Sequence, residues 1–290
     1  MIVTEEEKAR LLLIAAIEGN SKYWSSELST HGAAELVDRL KSLHYAGGRH
    51  AGEKISQRLS EISVESLIDQ LEGTFFLTPE SEDWPLQLND LGAPPFGLIG
   101  LGNREILQGA DRSIGIVGTR NPTQYGSRVA SEFAATLVDQ GWLITSGGAF
   151  GIDSAAHRGA LAVEGDTIAI LGGGVRSIFP SGNDRLFSEI ATHGLLLSEV
   201  LPSVPAAPHR FLIRNRLIAA LSRGVLVVEA AHRSGSLRTA RDAAELMRPV
   251  MAVPGLITSP SSEGCHRLIN ERKAELVSSV QEIVEFLSPL

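Results

Sequence analysis

Residues 113–153 decide the fold, and they read SIGIVGTRNPTQYGSRVASEFAATLVDQGWLITSGGAFGID. Two short apolar runs, 113–117 and 142–146, enclose a longer stretch, 126–140, whose apolar residues have helical spacing. Unbroken runs rich in Val, Ile and Leu, alternating with helical stretches, are typical of a parallel sheet covered by helices on both faces. The segment therefore predicts a strand–helix–strand unit.

The rest of the C-terminal part repeats this alternation. Further apolar runs predict strands at 167–171, 194–198, 224–229, 249–253 and 275–278. The stretches between and after them predict helices near 153–164, 183–193, 210–222, 236–247, 264–272 and 279–288. We therefore predict an α/β protein with a doubly wound, mostly parallel sheet over residues 113–290. In such sheets, ligands bind at the carboxyl ends of the strands.

Residues 1–73 are predicted to form a separate, small helical (SAM-like) domain. Apolar residues recur with helical spacing at 9–17, 33–43 and 64–71, and Gly47-Gly48 supplies a break. This part carries more acidic than basic residues, so its charge gives no reason to bind an anion.

Residues 74–112 differ from both neighbours. They contain a cluster of prolines, namely Pro79, Pro85, Pro94 and Pro95. Proline is disfavoured inside helices and central strands. We predict an ordered, Pro-rich connector that ends in an edge strand at 96–101.

Composition limits the class of protein. The chain has 290 residues, a net charge of −8 and one cysteine, Cys265, which excludes an internal disulfide and fits a reducing cytoplasm. No apolar run reaches the roughly 18 residues that a membrane span needs. The eight histidines lack the spacing of metal ligands. We expect a cytoplasmic protein with no membrane contact, metal or cofactor.

One stretch opposes this acidic balance. Residues 206–248 carry eight arginines against three carboxylates, a net charge of +5. Arginine binds phosphate bidentately and stacks on bases, so the stretch predicts one anion-binding face. The candidates on that face are Arg210, Arg214, Arg216 and Arg233. The remaining surface or structural arginines are expected to include Arg223, Arg241 and Arg248. Leu212 and Ile213 are predicted to pack inward.

Four predicted strands end in residues suited to an anion. The junctions are Gly118-Thr119-Arg120, Ser146-Gly147-Gly148, Gly172-Gly173 with Arg176 and Phe179, and Ser234-Gly235-Ser236. Glycines let the backbone approach a ligand, and helix starts present free N–H groups. The first junction does not match GxGxxG, and no acidic residue closes the next strand, so a nicotinamide dinucleotide is poorly supported.

Two carboxylates and a histidine near these junctions have structural interpretations. Asp153 is predicted to be a helix N-cap, and His157, one turn later, to be packed or capping. Glu229 ends a strand, where a catalytic acid would lie. We expect it instead to pair with Arg214 or Arg216, because no second carboxylate accompanies it.

The stretch 114–277 resembles the DNA-processing protein A family (DprA, also called Smf). The matching motifs are IVGTR at 116–120, AAHRGAL at 155–161, RNRLIA at 214–219, SGSL at 234–237 and AVPG at 252–255. The resemblance implies a Rossmann-like fold. It also implies a non-enzymatic protein of natural transformation and homologous recombination, which binds and protects single-stranded DNA, forms homodimers and helps to load the RecA recombinase.

The resemblance also assigns residues. The family's DNA-contacting arginine maps onto Arg120, and its basic and aromatic loop positions map onto Arg176 and Phe179. Its Arg-Asn-Arg motif maps onto 214–216. The full expected DNA-binding set is Gly118, Thr119, Arg120, Ser146, Gly147, Gly148, Gly172, Gly173, Arg176, Phe179, Arg210, Arg214, Asn215, Arg216, Ser234, Gly235 and Ser236.

The sequence departs from the family's pattern in two places. Phe150 replaces an arginine that many members have, which removes a charge and offers a stacking surface. Many members continue into a C-terminal winged-helix domain, and none is expected here, because the sequence stops at Leu290.

Two other functions remain open. The first is a nucleotide phosphoribohydrolase of the related cytokinin-activating group. Glycosidic chemistry needs carboxylates, but Arg233 and Arg238 stand in the corresponding segment. The second is a dimerising scaffold with vestigial anion loops.

Overall fold

The computed structural model describes residues 4–42 and 49–288, with the backbone alone for residues 49–51. The predicted break at Gly47-Gly48 and the predicted helix end at Leu43 lie outside the described residues. Across the described chain, no helix combines the length and the apolar character needed to cross a membrane.

The N-terminal part is helical, as predicted. Its helices are α1 (Glu5–Ala16), α2 (Lys22–His31), α3 (Ala33–Lys41), α4 (Arg49–Glu61) and α5 (Val64–Gln70). A capping box of Thr4 and Glu7 starts α1. The sequence did not predict α2, because Trp24 is its one buried side chain among the described residues and no apolar periodicity marks the helix.

A single sheet organises the remainder. Its strands are β1 (Phe75–Leu77), β2 (Leu98–Gly102), β3 (Ser113–Val117), β4 (Leu143–Ser146), β5 (Thr167–Leu171), β6 (Leu195–Ser198), β7 (Gly224–Val227), β8 (Val250–Ala252) and β9 (Glu275–Leu276). Their order is β1-β2-β6-β5-β4-β3-β7-β8-β9. Strands β3 to β9 pair in parallel, while β1 and β2 pair antiparallel. The predicted parallel sheet is confirmed.

The strand predicted at 96–101 is present, but its predicted position at the edge of the sheet is wrong. The strand there is β2, and it lies inside the sheet, since it pairs with β6 on one side and with β1 on the other. The edge position belongs to β1. The sequence missed β1 because a three-residue strand is too short for a period-2 pattern to mark it.

Helices cover both faces of the sheet. They are α6 (Gln124–Asp139), α7 (Ile152–Ala162), α8 (Asp184–His193), α9 (Pro208–Leu221), α10 (Ser236–Glu245), α11 (Glu263–Asn270) and α12 (Val280–Leu287). Apolar residues of α9, α10 and α11 pack on one face. Those of α6, α7 and α12 pack on the other face. Because successive side chains of a strand point to opposite faces, this coverage explains why every residue of β3 to β8 is buried.

The N-terminal helices share a core with the sheet. Leu11 of α1 and Leu36 of α3 belong to one hydrophobic cluster with Leu171 of β5 and Leu196 of β6. This packing places α1 beside the loops that leave β5 and β6.

The strand order creates a switch point between β3 and β7. From β3 the chain proceeds through β4 and β5 to β6 in one direction, and it then returns to place β7 on the other side of β3. The connections on the two sides run over opposite faces, so a crevice opens at the carboxyl ends of β3 and β7. The fold therefore puts this crevice where the predicted junctions after β3 and β7 emerge.

Candidate nucleic-acid interface

A cavity of about 220 Å³ lies at this switch point. Its wall comes from the loops after β3, β4 and β7 and from α9. The sequence-predicted residues that line it are Gly118, Arg120, Arg214, Asn215, Ser234, Gly235 and Ser236. The structure thus brings two of the four predicted junctions together with Arg214 and Asn215, while Ala149 and Asp153 line the cavity just beyond the second junction.

Arg120 forms the exposed rim of the cavity together with aromatic rings. Its guanidinium carbon lies 5.6 Å from the ring centroid of Phe211, which is within cation–π distance. The ring of Phe179 lies 5.5 Å from that of Phe211, at a 44° tilt. Phe179 is 52% exposed and Phe150, nearby on the loop after β4, is 46% exposed. Exposed rings beside a cation form a surface on which bases can stack while their phosphates meet the charge.

The Arg-Asn-Arg motif braces three loops from one helix. The side chain of Arg214 donates to the carbonyl of Gly147 at 3.0 Å, and that of Asn215 donates to the carbonyl of Gly235 at 3.3 Å. Arg216 forms a buried ion pair of 2.5 Å with Glu199. Consecutive residues of α9 therefore hold the loops that follow β4, β7 and β6.

The inner wall of the cavity carries a buried charge pair. The carboxylate of Asp153 accepts hydrogen bonds from the amides of Gly147 and Ala149. Burial raises the pKa of Asp153, while the neighbouring Arg214 opposes that rise. Burial also lowers the pKa of Arg214 to about 10, which leaves the guanidinium charged at neutral pH. The floor of the cavity therefore holds a guanidinium beside a carboxyl group that two backbone amides already engage.

The predicted N-cap role of Asp153 is wrong, although a structural role is confirmed. The N-cap of α7 is Gly151, and Asp153 lies inside the helix. Its carboxylate bonds the preceding loop because the glycines at 147 and 148 fold that loop back over the helix start. His157 is packed, as expected: its Nδ1 lies 2.7 Å from the hydroxyl of Thr167, and burial lowers its pKa to about 3.

The predicted pairing of Glu229 with an arginine is also wrong. Its carboxylate accepts from the amide and the hydroxyl of Thr123, and from the hydroxyl of Ser261. Arg216 pairs with Glu199 instead. Sequence adjacency gave no signal, because residue 229 follows β7 whereas Arg216 is directed toward the end of β6.

The junction after β7 presents hydroxyls to the cavity. Ser234 and Ser236 both line it, and their hydroxyls lie 2.7 Å apart. The start of α10 at Ser236 has no side-chain cap. The amides of Ser236, Leu237 and Arg238 already bond within this turn, so the helix dipole and the hydroxyls, rather than free N–H groups, favour an anion here.

Other predicted residues have roles in packing. The hydroxyl of Ser146 donates to the carbonyl of Ile116 inside the sheet. A side chain at Gly148 would collide with Phe187, one at Gly172 with Phe211, and one at Gly173 with the backbone of Ala206. These positions need glycine because of close packing, whether or not a ligand is bound.

Two predicted arginines contact the N-terminal part of the chain. The guanidinium of Arg210 lies 2.7 Å from the carboxylate of Glu18, and that of Arg176 donates to the carbonyl of Gln70 at 3.1 Å. Neither lines the cavity at the switch point. Thr119 lies in the first junction, where its amide donates to the carbonyl of Glu229.

The sequence did not predict Phe211 and Leu212 as site residues. Both line the cavity, and Leu212 is 53% exposed, so its predicted inward packing is wrong. The signal for Phe211 was present, since an aromatic residue lies between Arg210 and Arg214 on a helix that starts at Pro208. Helical spacing puts position 211 on the same face of α9 as Arg214 and Ile218, which also line the cavity.

Comparison with known proteins finds relatives that all belong to one family of DNA-processing proteins. Residues 75–288 match the family model described as DNA recombination-mediator protein A. The chain is 40% identical over 272 residues to the putative DNA processing protein DprA of Mycobacterium tuberculosis, which covers 88% of this chain and 68% of that protein. It is 40% identical over 207 residues to the DNA processing protein DprA of Bacillus subtilis, covering 71% of this chain and 69% of that one.

Two solved structures share the fold. The X-ray structure of DNA processing protein A from Streptococcus pneumoniae superposes with a TM-score of 0.84 at 30% identity, covering 98% of both chains. A structure that describes the single-stranded DNA binding mode of the Helicobacter pylori protein has a TM-score of 0.67 at 30% identity, covering 74% of this chain and 95% of that one.

Proposed function

Because the chain belongs to the DNA recombination-mediator protein A family, we propose that it binds single-stranded DNA at the cavity between β3 and β7. The rim formed by Arg120, Phe211 and Phe179 carries this proposal. A guanidinium next to exposed rings matches a strand of alternating phosphates and bases, and stacking tolerates any sequence. We propose that the protein acts in the cytoplasm, in natural transformation and homologous recombination, where it protects incoming DNA.

The proposed DNA contacts fall into two groups. Arg120, Phe179 and Ser234 are accessible at the cavity or its rim, so we propose direct contact with the strand. Ser236 also lines the cavity but is buried, and we propose that it supports the hydroxyl of Ser234. Arg214 and Asn215 line the cavity while bracing its loops, so we propose that they act from its floor. Arg176, Arg210 and Arg216 would reach the strand only by leaving their present partners.

Replacement of Arg120 tests the proposal. Arg120→Ala removes one charge-assisted phosphate contact, worth roughly 1.5–3 kcal/mol, or about 10- to 100-fold in Kd. The salt dependence of log Kd should weaken by about 0.7, the value for one phosphate on a single strand. Arg158→Ala on α7, an exposed arginine on the opposite face of the sheet, is the matched control. Equal binding by both variants at moderate salt would refute the assignment.

The absence of catalysis is part of the proposal. Of the described residues that line the cavity, Asp153 supplies the one carboxylate, and it is buried against two amides. A phosphoribohydrolase would need an accessible carboxylate at the sugar. An assay for hydrolysis of nucleoside monophosphates should therefore show no turnover above background, and sustained release of base would favour the enzyme instead.

We also propose that the chain forms homodimers and helps to load the RecA recombinase. Family membership supports both statements. Analytical ultracentrifugation should give twice the monomer mass. Filament assembly by RecA on coated single strands should be faster with this protein present, and no acceleration would remove that part of the proposal.

A further inference from the structure

A second basic cavity adjoins the first. It has a volume of about 500 Å³ and lies between α10 and α11. The charged residues on its wall are Arg233, Arg241, Arg267, Lys273 and Glu271, with His232 at one side. Four cationic side chains thus face one carboxylate, on a chain whose net charge is −8.

The carboxylate does not neutralise this cavity. Glu271 accepts from Arg267 at 2.7 Å and from Lys273 at 2.6 Å, which commits it at one end. Within the described residues, Arg233 has no hydrogen bond or ion pair, and Arg241 uses only its Nε, toward the carbonyl of Leu237 at 3.3 Å. Collecting like charges destabilises a fold unless an anion offsets their repulsion. The guanidinium of Arg233 and the terminal nitrogens of Arg241 therefore remain available among the described residues, which points to an anionic ligand.

The two cavities are continuous along the protein surface. Ser234 lines both of them, so the short loop after β7 is the wall that separates them. A ligand that carries one phosphate would occupy either cavity alone. A ligand with regularly repeated phosphates would cross the loop and reach Arg233 and then Arg241.

We propose that a single DNA strand bound in the first cavity continues across Ser234 into the second, where Arg233 and Arg241 bind its phosphodiesters. This rests on the proposed function and extends its footprint. It also revises the expectation from sequence that Arg241 is an ordinary surface residue. The identity of the ligand follows from continuity, because the stacking rim of the first cavity selects bases and the second cavity carries four cationic side chains against one carboxylate.

The test uses oligomer length. The variant R233Q/R241Q removes both guanidiniums, and R128Q/R158Q removes two exposed charges from the opposite face of the sheet, where Arg128 is 68% exposed. Thymidine oligomers of about 6 and about 20 nucleotides span the range of single-strand site sizes. For the long oligomer, R233Q/R241Q should lower the salt slope by about 1.4, two phosphates at about 0.7 each. For the short oligomer it should behave as the parent does.

The outcomes separate this proposal from the function on which it rests. If Arg120→Ala weakens both lengths while R233Q/R241Q weakens neither, or weakens both equally, the second cavity is not on the path of the strand. If Arg120→Ala weakens neither length, the proposed function itself fails. Competition by poly-glutamate as strong as that by the long oligomer would overturn the nucleic-acid assignment in favour of an acidic protein. Arg233 is exposed and unpaired among the described residues, so R233Q alone, at half the slope change, keeps the test valid should the double variant fold poorly.

Discussion

Replacement of Phe211 should separate base stacking from phosphate binding. The ring of Phe211 lies under the guanidinium of Arg120 and beside Phe179, and it packs against the backbone at Gly172. Phe211→Ala removes the element that both rim residues contact. Because an aliphatic side chain keeps bulk but offers no aromatic face, Phe211→Leu separates the loss of packing from the loss of stacking.

The expected magnitude follows from these contacts. Stacking of one base on an aromatic ring contributes about 1–3 kcal/mol. The lost cation–π contact at an exposed arginine adds about 0.5–1 kcal/mol to the cost of misplacing Arg120. We expect Phe211→Ala to weaken single-strand binding by roughly 2 kcal/mol, or about 30-fold in Kd. The salt slope should stay at the parent value, because no phosphate contact is removed.

Fluorescence anisotropy with a labelled thymidine oligomer, at four salt concentrations, measures both quantities. Phe286→Ala is the matched control, since Phe286 is a 41% exposed ring on α12 that does not line this cavity. Arg120→Ala should change the slope, whereas Phe211→Ala should change the intercept. Parent-like binding by Phe211→Ala, or a slope that falls as it does for Arg120→Ala, would refute the stacking platform.

Three further predictions concern the surroundings of the site. Glu18→Gln frees Arg210 from its 2.7 Å ion pair and should tighten oligonucleotide binding severalfold. The dependence of log Kd on log salt concentration should become steeper by about 0.7. The control Glu72→Gln, at an exposed carboxylate elsewhere, should leave the binding titrations unchanged. Glu199→Gln leaves Arg216 charged and buried, since the side chains of Arg216 and Glu199 are 7% and 11% exposed. It should lower the free energy of unfolding, measured in urea, by about 3–5 kcal/mol, whereas Asp83→Asn at the exposed Arg104 pair should lower it by under about 1 kcal/mol. Similar losses for the two variants would contradict the bracing role. Burial lowers the pKa of His157 from 6.5 to about 3, so the imidazole is neutral in the folded protein and protons bind preferentially to the unfolded chain as the pH falls below about 6.5. The free energy of unfolding should therefore drop by roughly 2 kcal/mol between pH 7 and pH 5. A parent pH dependence no steeper than that of His157→Asn would contradict this.

Local patterns in the sequence were sufficient to predict the parallel strands and the alternation of strands and helices along the C-terminal part of the chain. Strands such as 113–117 and 167–171 are short apolar runs between helical stretches. Because both faces of these strands are buried, each strand can be predicted from its own residues without knowing its neighbours in the sheet. The first junction, with Gly118 and Arg120, could be predicted for a related reason, because a strand end, a tight turn and a helix start follow one another within a few residues. The N-terminal α2 and the short β1 carried no comparable periodicity.

Partner choice depended on contacts between distant parts of the chain. The bonds of Arg214, Asn215 and Arg216 reach loops that are 67, 20 and 17 residues away. The sequence indicated that this motif was charged and close to the site, but a guanidinium forms the same bonds with a phosphate, a carbonyl or a carboxylate. Only the arrangement of the loops shows that carbonyls and Glu199 are already there.

What the sequence by itself determined is the parallel sheet and the Gly- and Arg-rich residues at the carboxyl ends of its strands, where we propose that a ligand binds, because these follow from patterns within short segments. The tertiary structure decided which arginines remain available. It placed Arg120 on Phe211, engaged Arg210 and Arg216 with carboxylates and left Arg233 without a partner among the described residues. The physical reason is that the availability of a charge depends on its neighbours in space, and those neighbours come from different strands, helices and loops.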